Sequence, residues 1–164
     1  MQALVRRHDA PLWVRPAIAL AFFLVAGCSS QPGTNGGDVI NCQDDPRVRT
    51  YSPNLSVTST TGSMKFFLVR SDPAPPAQGT DTWTIRVVDL SGNALPNLSL
   101  SVDPFMPDHG HGTSVRAQAS ANGDGTYTVT PLYLFMPGVW RITFISAPDA
   151  GASDSAVFFF CIPG

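Results

Sequence analysis

Leu98-Ser99-Leu100-Ser101-Val102-Asp103 alternates apolar and polar side chains without a break. Only an extended chain puts every second side chain on the same face, so this stretch reads as a β-strand with one buried and one wet face. The same period recurs on both sides of it. Upstream, Trp83, Ile85 and Val87 alternate against Thr84 and Arg86 in a strand expected at 82–90, and Met64-Lys65-Phe66-Phe67-Leu68-Val69-Arg70 is apolar enough to be covered on both faces. Leu55-Ser56-Val57 is a short candidate edge strand in the otherwise irregular segment 43–61. Downstream, strands are expected at 113–120, with Val115, Ala117 and Ala119 inward, and at 126–134, where Pro131 marks an edge or a bulge. Two more follow at 139–146, with Trp140, Ile142 and Phe144 on one face, and at 156–161.

The segments between them carry turn chemistry. Loops at 71–80 and 147–151 are rich in Pro, Gly and Ala, Ser91-Gly92-Asn93 turns the chain, and Ala121-Asn122-Gly123-Asp124-Gly125 suits a tight hairpin. Asn122 and Asp124 supply too few oxygens for a calcium loop, so the turn reading is preferred there. Outside residues 1–27 no stretch has a helical period. About seven short strands near ten residues apart predict an all-β protein, an immunoglobulin-like antiparallel β-sandwich.

Residues 1–27 stand apart from that pattern. Arg6, Arg7 and Arg15 precede the apolar run Ala17 to Ala26, which has the length of a secretory signal and is too short to span a bilayer. The run ends in Leu24-Val25-Ala26-Gly27-Cys28, which resembles the lipobox of bacterial lipoproteins. The alternative is an ordinary signal peptide with an incidental cysteine. The resemblance implies a lipoprotein signal peptide at 1–27, lipidation of Cys28 and a membrane anchor through it. Ser29, where an aspartate would favour inner-membrane retention, points to the outer membrane facing the periplasm if the cell is Gram-negative. Residues 28–41 then form the lipidated cysteine and a small, polar, flexible linker, and 42–164 the domain. Removing 1–27 takes away Arg6, Arg7, Arg15 and Asp9 and leaves seven basic and eleven acidic side chains, all of the latter Asp, for a formal charge of −4. A mildly acidic chain without a basic face is not a nucleic-acid binder.

Cys42 and Cys161 sit at the two ends of the domain. In an exported protein such a pair reads as a disulfide, here fastening the first segment to the last strand. A reactive or metal-binding role is the alternative, although neither cysteine lies in a CxxC or beside a histidine.

The chemistry that remains is concentrated in Phe105-Met106-Pro107-Asp108-His109-Gly110-His111-Gly112, which holds both histidines of the domain on a backbone that Pro107, Gly110 and Gly112 prevent from continuing as a regular strand. Imidazole and thioether together suit copper, and zinc less well, rather than magnesium or calcium. Antiparallel strands reverse direction, so counting them brings the loop 135–138, with Met136, to the same end of the sandwich, along with the loop 71–80 and Cys161. Met106, His109, His111 and Met136 are therefore the candidate metal ligands, and Asp108 is placed to add an oxygen or to orient an imidazole. The competing reading makes the methionines lids on the core and the histidines backbone hydrogen-bonding groups. No catalytic constellation is visible: there is no GxSxG elbow, no Glu and no domain histidine outside this loop, so an enzyme is not expected.

Trp83-Thr84-Ile85-Arg86-Val87, Met106-Pro107-Asp108-His109-Gly110-His111-Gly112-Thr113, Gly123-Asp124-Gly125-Thr126-Tyr127 and Leu134-Phe135-Met136-Pro137-Gly138-Val139-Trp140 together resemble the YtkA-like domain, a family similar to FixH-type proteins. The resemblance covers roughly residues 80 to 146 and is most specific at the Met-Pro-x-His-Gly-His-Gly corner. It implies an immunoglobulin-like sandwich in the bacterial cell envelope and, for the FixH branch, an association with copper supply to respiratory oxidases. The lipobox departs from that branch, whose members carry a transmembrane helix. The expected function is a lipid-anchored domain that binds a copper ion or passes it between donor and acceptor proteins. The alternative is a non-metal envelope module for protein interaction or structure.

Overall fold

The computed structural model describes residues 41–147 and 153–164. The expected signal peptide, Cys28 and the linker up to residue 40 lie outside the described residues, as do positions 148–151 of the expected last loop. The strands in chain order are β1 (Leu55–Thr58), β2 (Met64–Asp72), β3 (Gly79–Asp89), β4 (Ser99–Met106), β5 (His111–Gly112), β6 (Gln118–Ala121), β7 (Thr126–Leu134), β8 (Gly138–Ala147) and β9 (Asp154–Ile162).

The strand order is β1-β2-β3-β7-β6-β4-β8-β9, with β5 added to β4. All pairings are antiparallel. β6 pairs along its whole length with β7 but meets β4 only at Ser101↔Gln118, so the sheet folds there into two halves. At the far edges the Thr60 N–H donates to the Ser155 carbonyl at 2.7 Å, bringing the chain after β1 onto β9. The result is an all-β sandwich nearly closed into a barrel, which leaves little unpaired edge.

Period-two patterning built this core. Phe66 and Leu68 of β2, Trp83, Ile85 and Val87 of β3, and Tyr127 and Val129 of β7 point inward from one half, against Ile142, Phe144, Phe158 and Phe160 of β8 and β9. The Trp83 ring meets Phe158 and Phe160 edge-on, with centroids 6.3 and 5.4 Å away, and Phe66 reaches Phe144 at 6.0 Å. Truncating one such ring to alanine costs about 3 to 5 kcal/mol, because the rigid neighbours cannot close the cavity.

Two expectations change, and a third is decided between its two alternatives. β2 is covered on one face only, since Phe67 and Val69 remain half-buried on the other. The strand expected at 113–120 shortens to β6: β5 ends before it at Gly112, residues 113–117 belong to no strand, and pairing resumes at Gln118. Pro131 lies inside a bulge, where the β3–β7 register slips between Asp81↔Leu132 and Trp83↔Val129, and β7 is flanked on both sides by β3 and β6. A proline has no N–H to give the ladder, and the bulge removes the need for one.

Cys42 and Cys161 are bonded, with Cα atoms 5.3 Å apart, and they pack with Val48 and Val139 as a small apolar cluster. Downstream of Cys42 the Arg49 N–H donates to the Phe159 carbonyl at 2.9 Å, so the first segment runs along β9.

Candidate functional site

The histidine-rich stretch is a β-hairpin. Met106 pairs with His111 and Phe105 with Gly112, and the Met106 carbonyl accepts from the His109 and Gly110 N–H groups at 3.2 and 2.9 Å. Pro107, Gly110 and Gly112, expected to interrupt the strand, instead make the turn and its return. Gly112 must be glycine, since a Cβ there would lie 2.7 Å from the Pro104 carbonyl oxygen. The absence of a side chain lets β5 lie against β4.

The four candidate ligands divide by depth. Met106 is fully buried in the main core, Met136 is half-buried against it, and His109 and His111 are exposed. Burial and exposure meet at Gly138, the first residue of β8. Its φ of 133° excludes ordinary side chains, and an ideal Cβ on it would sit 2.7 Å from Met106 Cε and 3.7 Å from His109 Nε2. The Met106 methyl therefore fills the space over Gly138, next to the His109 imidazole. His111 lies beside it, its ring 5.7 Å from that of His109 and stacked on Phe135 at 5.7 Å. His111 Nδ1 is 3.3 Å from the Gly112 carbonyl; the tautomer that donates through Nδ1–H keeps the lone pair on Nε2.

The strand count placed its neighbours correctly. The corner 135–138 adjoins the hairpin through the Phe135 ring and Gly138. The Phe135 ring meets Trp140 edge-on at 5.6 Å, and the indole Nε1–H donates to the Met136 carbonyl at 2.9 Å, fixing this corner from below. Gln78 Nε2 donates to the Phe135 carbonyl at 2.9 Å, so the loop 71–80 reaches the same end, and Cys161 pairs there with Val139.

Three residues that sequence reasoning missed also belong to this end. Gly138 was read only as part of a turn. Arg47 donates from Nη2 to Asp108 Oδ2 at 2.7 Å, while Nε and Nη2 grip both oxygens of Asp45 at 2.9 and 2.6 Å. Arg47, through side-chain and backbone hydrogen bonds, holds the Asp45 carboxyl down at about 2, and the two carboxylates in turn push the guanidinium pKa up. Asp81, at the start of β3, is fully buried with Oδ1 unpartnered, while Oδ2 accepts from Trp83 Nε1 and the Ala77 N–H, both at 3.4 Å. Burial pushes its pKa up to about 6, with help from the charge of Asp72 and against the pull of those two donors. Extending the Trp83-Ile85-Val87 alternation backward by two residues would have placed Asp81 on the inner face.

Chemically, the corner offers imidazole nitrogen and thioether sulfur. Among the described residues no three His, Cys, Asp or Glu side chains gather into a metal-holding group. That donor chemistry fits a soft ion better than a hard one.

A family model described as YtkA-like matches residues 58–144, from the last residue of β1 well into β8, and takes in the whole hairpin and the 135–138 corner. No curated protein and no solved structure matches the chain.

Proposed function

Because the chain belongs to the YtkA-like family, we propose that it is a cell-envelope domain that binds a copper ion at the hairpin corner and hands it to a partner protein. The observation that carries this reading is the approach of the Met106 side chain and His109 Nε2 to one point at Gly138, with His111 alongside. In the proposed site Met106 supplies a thioether from the core side, and His109 and His111 supply imidazoles from the solvent side. Met136, in the adjoining corner, is the candidate second sulfur. Thioethers favour Cu(I) and imidazoles accept either oxidation state, so the bound ion would be cargo exchanged at an open loop. The reading assigns no catalytic residue. It includes a lipid anchor at Cys28 that keeps the domain at a membrane surface, the outer membrane if the cell is Gram-negative.

Full burial of Met106 among the core side chains favours a second reading, in which the methionines only close the sandwich and the exposed His111, stacked on the half-buried Phe135, meets a protein partner. Titration of the full-length chain with Cu(I) against a competing chelator, and separately with Cu(II) and Zn(II), decides between the two. One tightly bound equivalent that disappears in the His109→Ala/His111→Ala variant, with further loss on Met136→Leu, is expected for the metal site. A folded chain that binds none of the three ions leaves the second reading.

A further inference from the structure

Arg49 follows a braced turn. The Asp45 N–H donates to the Cys42 carbonyl at 3.3 Å, the Val48 N–H returns to the Asp45 carbonyl at 3.0 Å, and the disulfide fastens the turn to β9. The Arg49 N–H is held by the Phe159 carbonyl at 2.9 Å, yet its exposed guanidinium makes no hydrogen bond and no ion pair among the described residues. Asp45, the nearest carboxylate in the sequence, is engaged by Arg47. Beside Arg49 lies a cavity of about 290 Å³. Tyr51 and Phe160 give it ring surface, Pro75, Pro76 and Pro163 give it apolar walls, and among the described residues Arg49 is the one charged side chain in its lining. The lining is held in place. Tyr51 Oη accepts from the Ser71 N–H at 3.2 Å, its ring lies 6.4 Å from that of Phe160, and Phe160 meets Trp83 edge-on at 5.4 Å. Proline rings lose no rotamer freedom on contact, so a ligand entering here has little ordering of the protein to offset.

We propose that this cavity binds a small aromatic carboxylate, its ring among Tyr51, Phe160 and the prolines and its carboxylate on the Arg49 guanidinium. The inference does not rest on the metal-binding reading given above, since no residue of the histidine hairpin lines the cavity. Volume limits the ligand. Small-molecule sites run from about 300 to 1,000 Å³, so this cavity takes a single ring with a short arm. Its aromatic surface suits a ring, because aromatic pairs gain from offset or edge-to-face contact beyond the area they bury. Charge selects the arm. An unpaired guanidinium beside an otherwise uncharged lining repels an amine, and its planar fork matches the two oxygens of a carboxylate. A phosphate would bring further charge and a third oxygen, which apolar walls leave without a partner. Because Arg49 is exposed, the ion pair contributes roughly a twofold to fivefold gain in affinity.

The test titrates phenylacetate and phenylacetamide, which differ in charge and little in size, into the disulfide-bonded full-length chain at low ionic strength, with backbone-amide chemical shifts as the readout. Wild type should show saturable shifts at Tyr51, Phe160 and Cys161 and hold the acid about twofold to fivefold tighter than the amide. Arg49→Ala keeps the backbone bond to Phe159 and should lower the affinity for the acid to that for the amide, leaving the latter unchanged. No saturable shift with either probe overturns the site, and so do shifts confined to the groove on the other side of Arg49, at Val157 for example. Equal affinity for acid and amide in wild type, or a preference for the acid that survives in Arg49→Ala, overturns the role of the carboxylate. A short peptide ending in phenylalanine that shifts the same amides and binds more than about tenfold tighter than phenylacetate overturns the small molecule in favour of a chain terminus.

Discussion

A methyl group added at position 138 probes the packing of Met106 on Gly138 directly. Gly138→Ala forces a β-carbon onto a backbone with φ of 133°, a region that L side chains rarely enter, at a cost of about 1 to 3 kcal/mol. The same carbon would lie 2.7 Å from Met106 Cε, well inside van der Waals contact. Met106 is flexible, but it is fully buried and has little room to retreat, so overpacking adds about 1 to 3 kcal/mol. A combined loss of about 2 to 6 kcal/mol is expected, read as a lower urea midpoint at unchanged slope with the disulfide intact. The two causes separate in a cycle with Met106→Ala. The strain at 138 persists in Gly138→Ala/Met106→Ala while the clash vanishes, so the double variant should be more stable than the sum of the singles predicts by about 1 to 2 kcal/mol. Gly138→Ala within about 0.5 kcal/mol of wild type would refute the described backbone, since ordinary tolerated substitutions fall in that range. Strict additivity would refute the proximity of Met106.

Three further outcomes follow from the charges and the crosslink. Asp81 keeps its proton in the fold up to about pH 6 while the unfolded chain releases it near 3.8, so stability is full below about pH 4 and declines as pH rises through about 6. Asp81→Asn should remove that decline, gaining on wild type by on the order of 2 kcal/mol across the window; urea midpoints at stepped pH check this, and a pH-independent difference refutes it. Asp154 has the opposite sign. Burial alone would raise its pKa, but hydroxyl donors from Ser59, Thr61 and Ser63 and the Thr61 N–H hold it well below the usual carboxylate range, so its contribution is present at neutral pH and lost as pH falls. Asp154→Ala should therefore cost about 1 to 3 kcal/mol at pH 7 and flatten the acid limb of the stability profile. Cys42→Ser/Cys161→Ser opens a crosslink spanning 119 residues and should cost about 2 to 5 kcal/mol by equilibrium unfolding.

The strands that could be read from sequence were those in which one face is dry and the other wet. Trp83-Ile85-Val87 and Trp140-Ile142-Phe144 lie inward as their alternation requires, and β1 and β9 fall where the pattern placed them. Strand parity and the pairing of Cys42 with Cys161 were legible for a similar reason, because both depend on chain order more than on local geometry. The hairpin was not, since Pro107, Gly110 and Gly112 look like interruptions until Met106 is seen to pair with His111. Arg47 and Asp108 carry no local mark of their pairing, which the path of the braced turn decides. Asp81 was overlooked because a buried lone carboxylate contradicts the solvation rule by which sequences are read, even though its period placed it inside.

The disulfide also fixes where the polypeptide enters and leaves the domain. Cys42 Sγ lies 3.9 Å from the Ile162 carbonyl, so both ends of the sandwich share one spot on its surface. A domain whose ends meet can be spliced into an exposed turn of another protein without stretching its host. For the same reason it should accept circular permutation, with the old ends joined by a short linker and new ends opened at the Asn122–Gly125 turn, at the opposite end of β7 from the 135–138 corner.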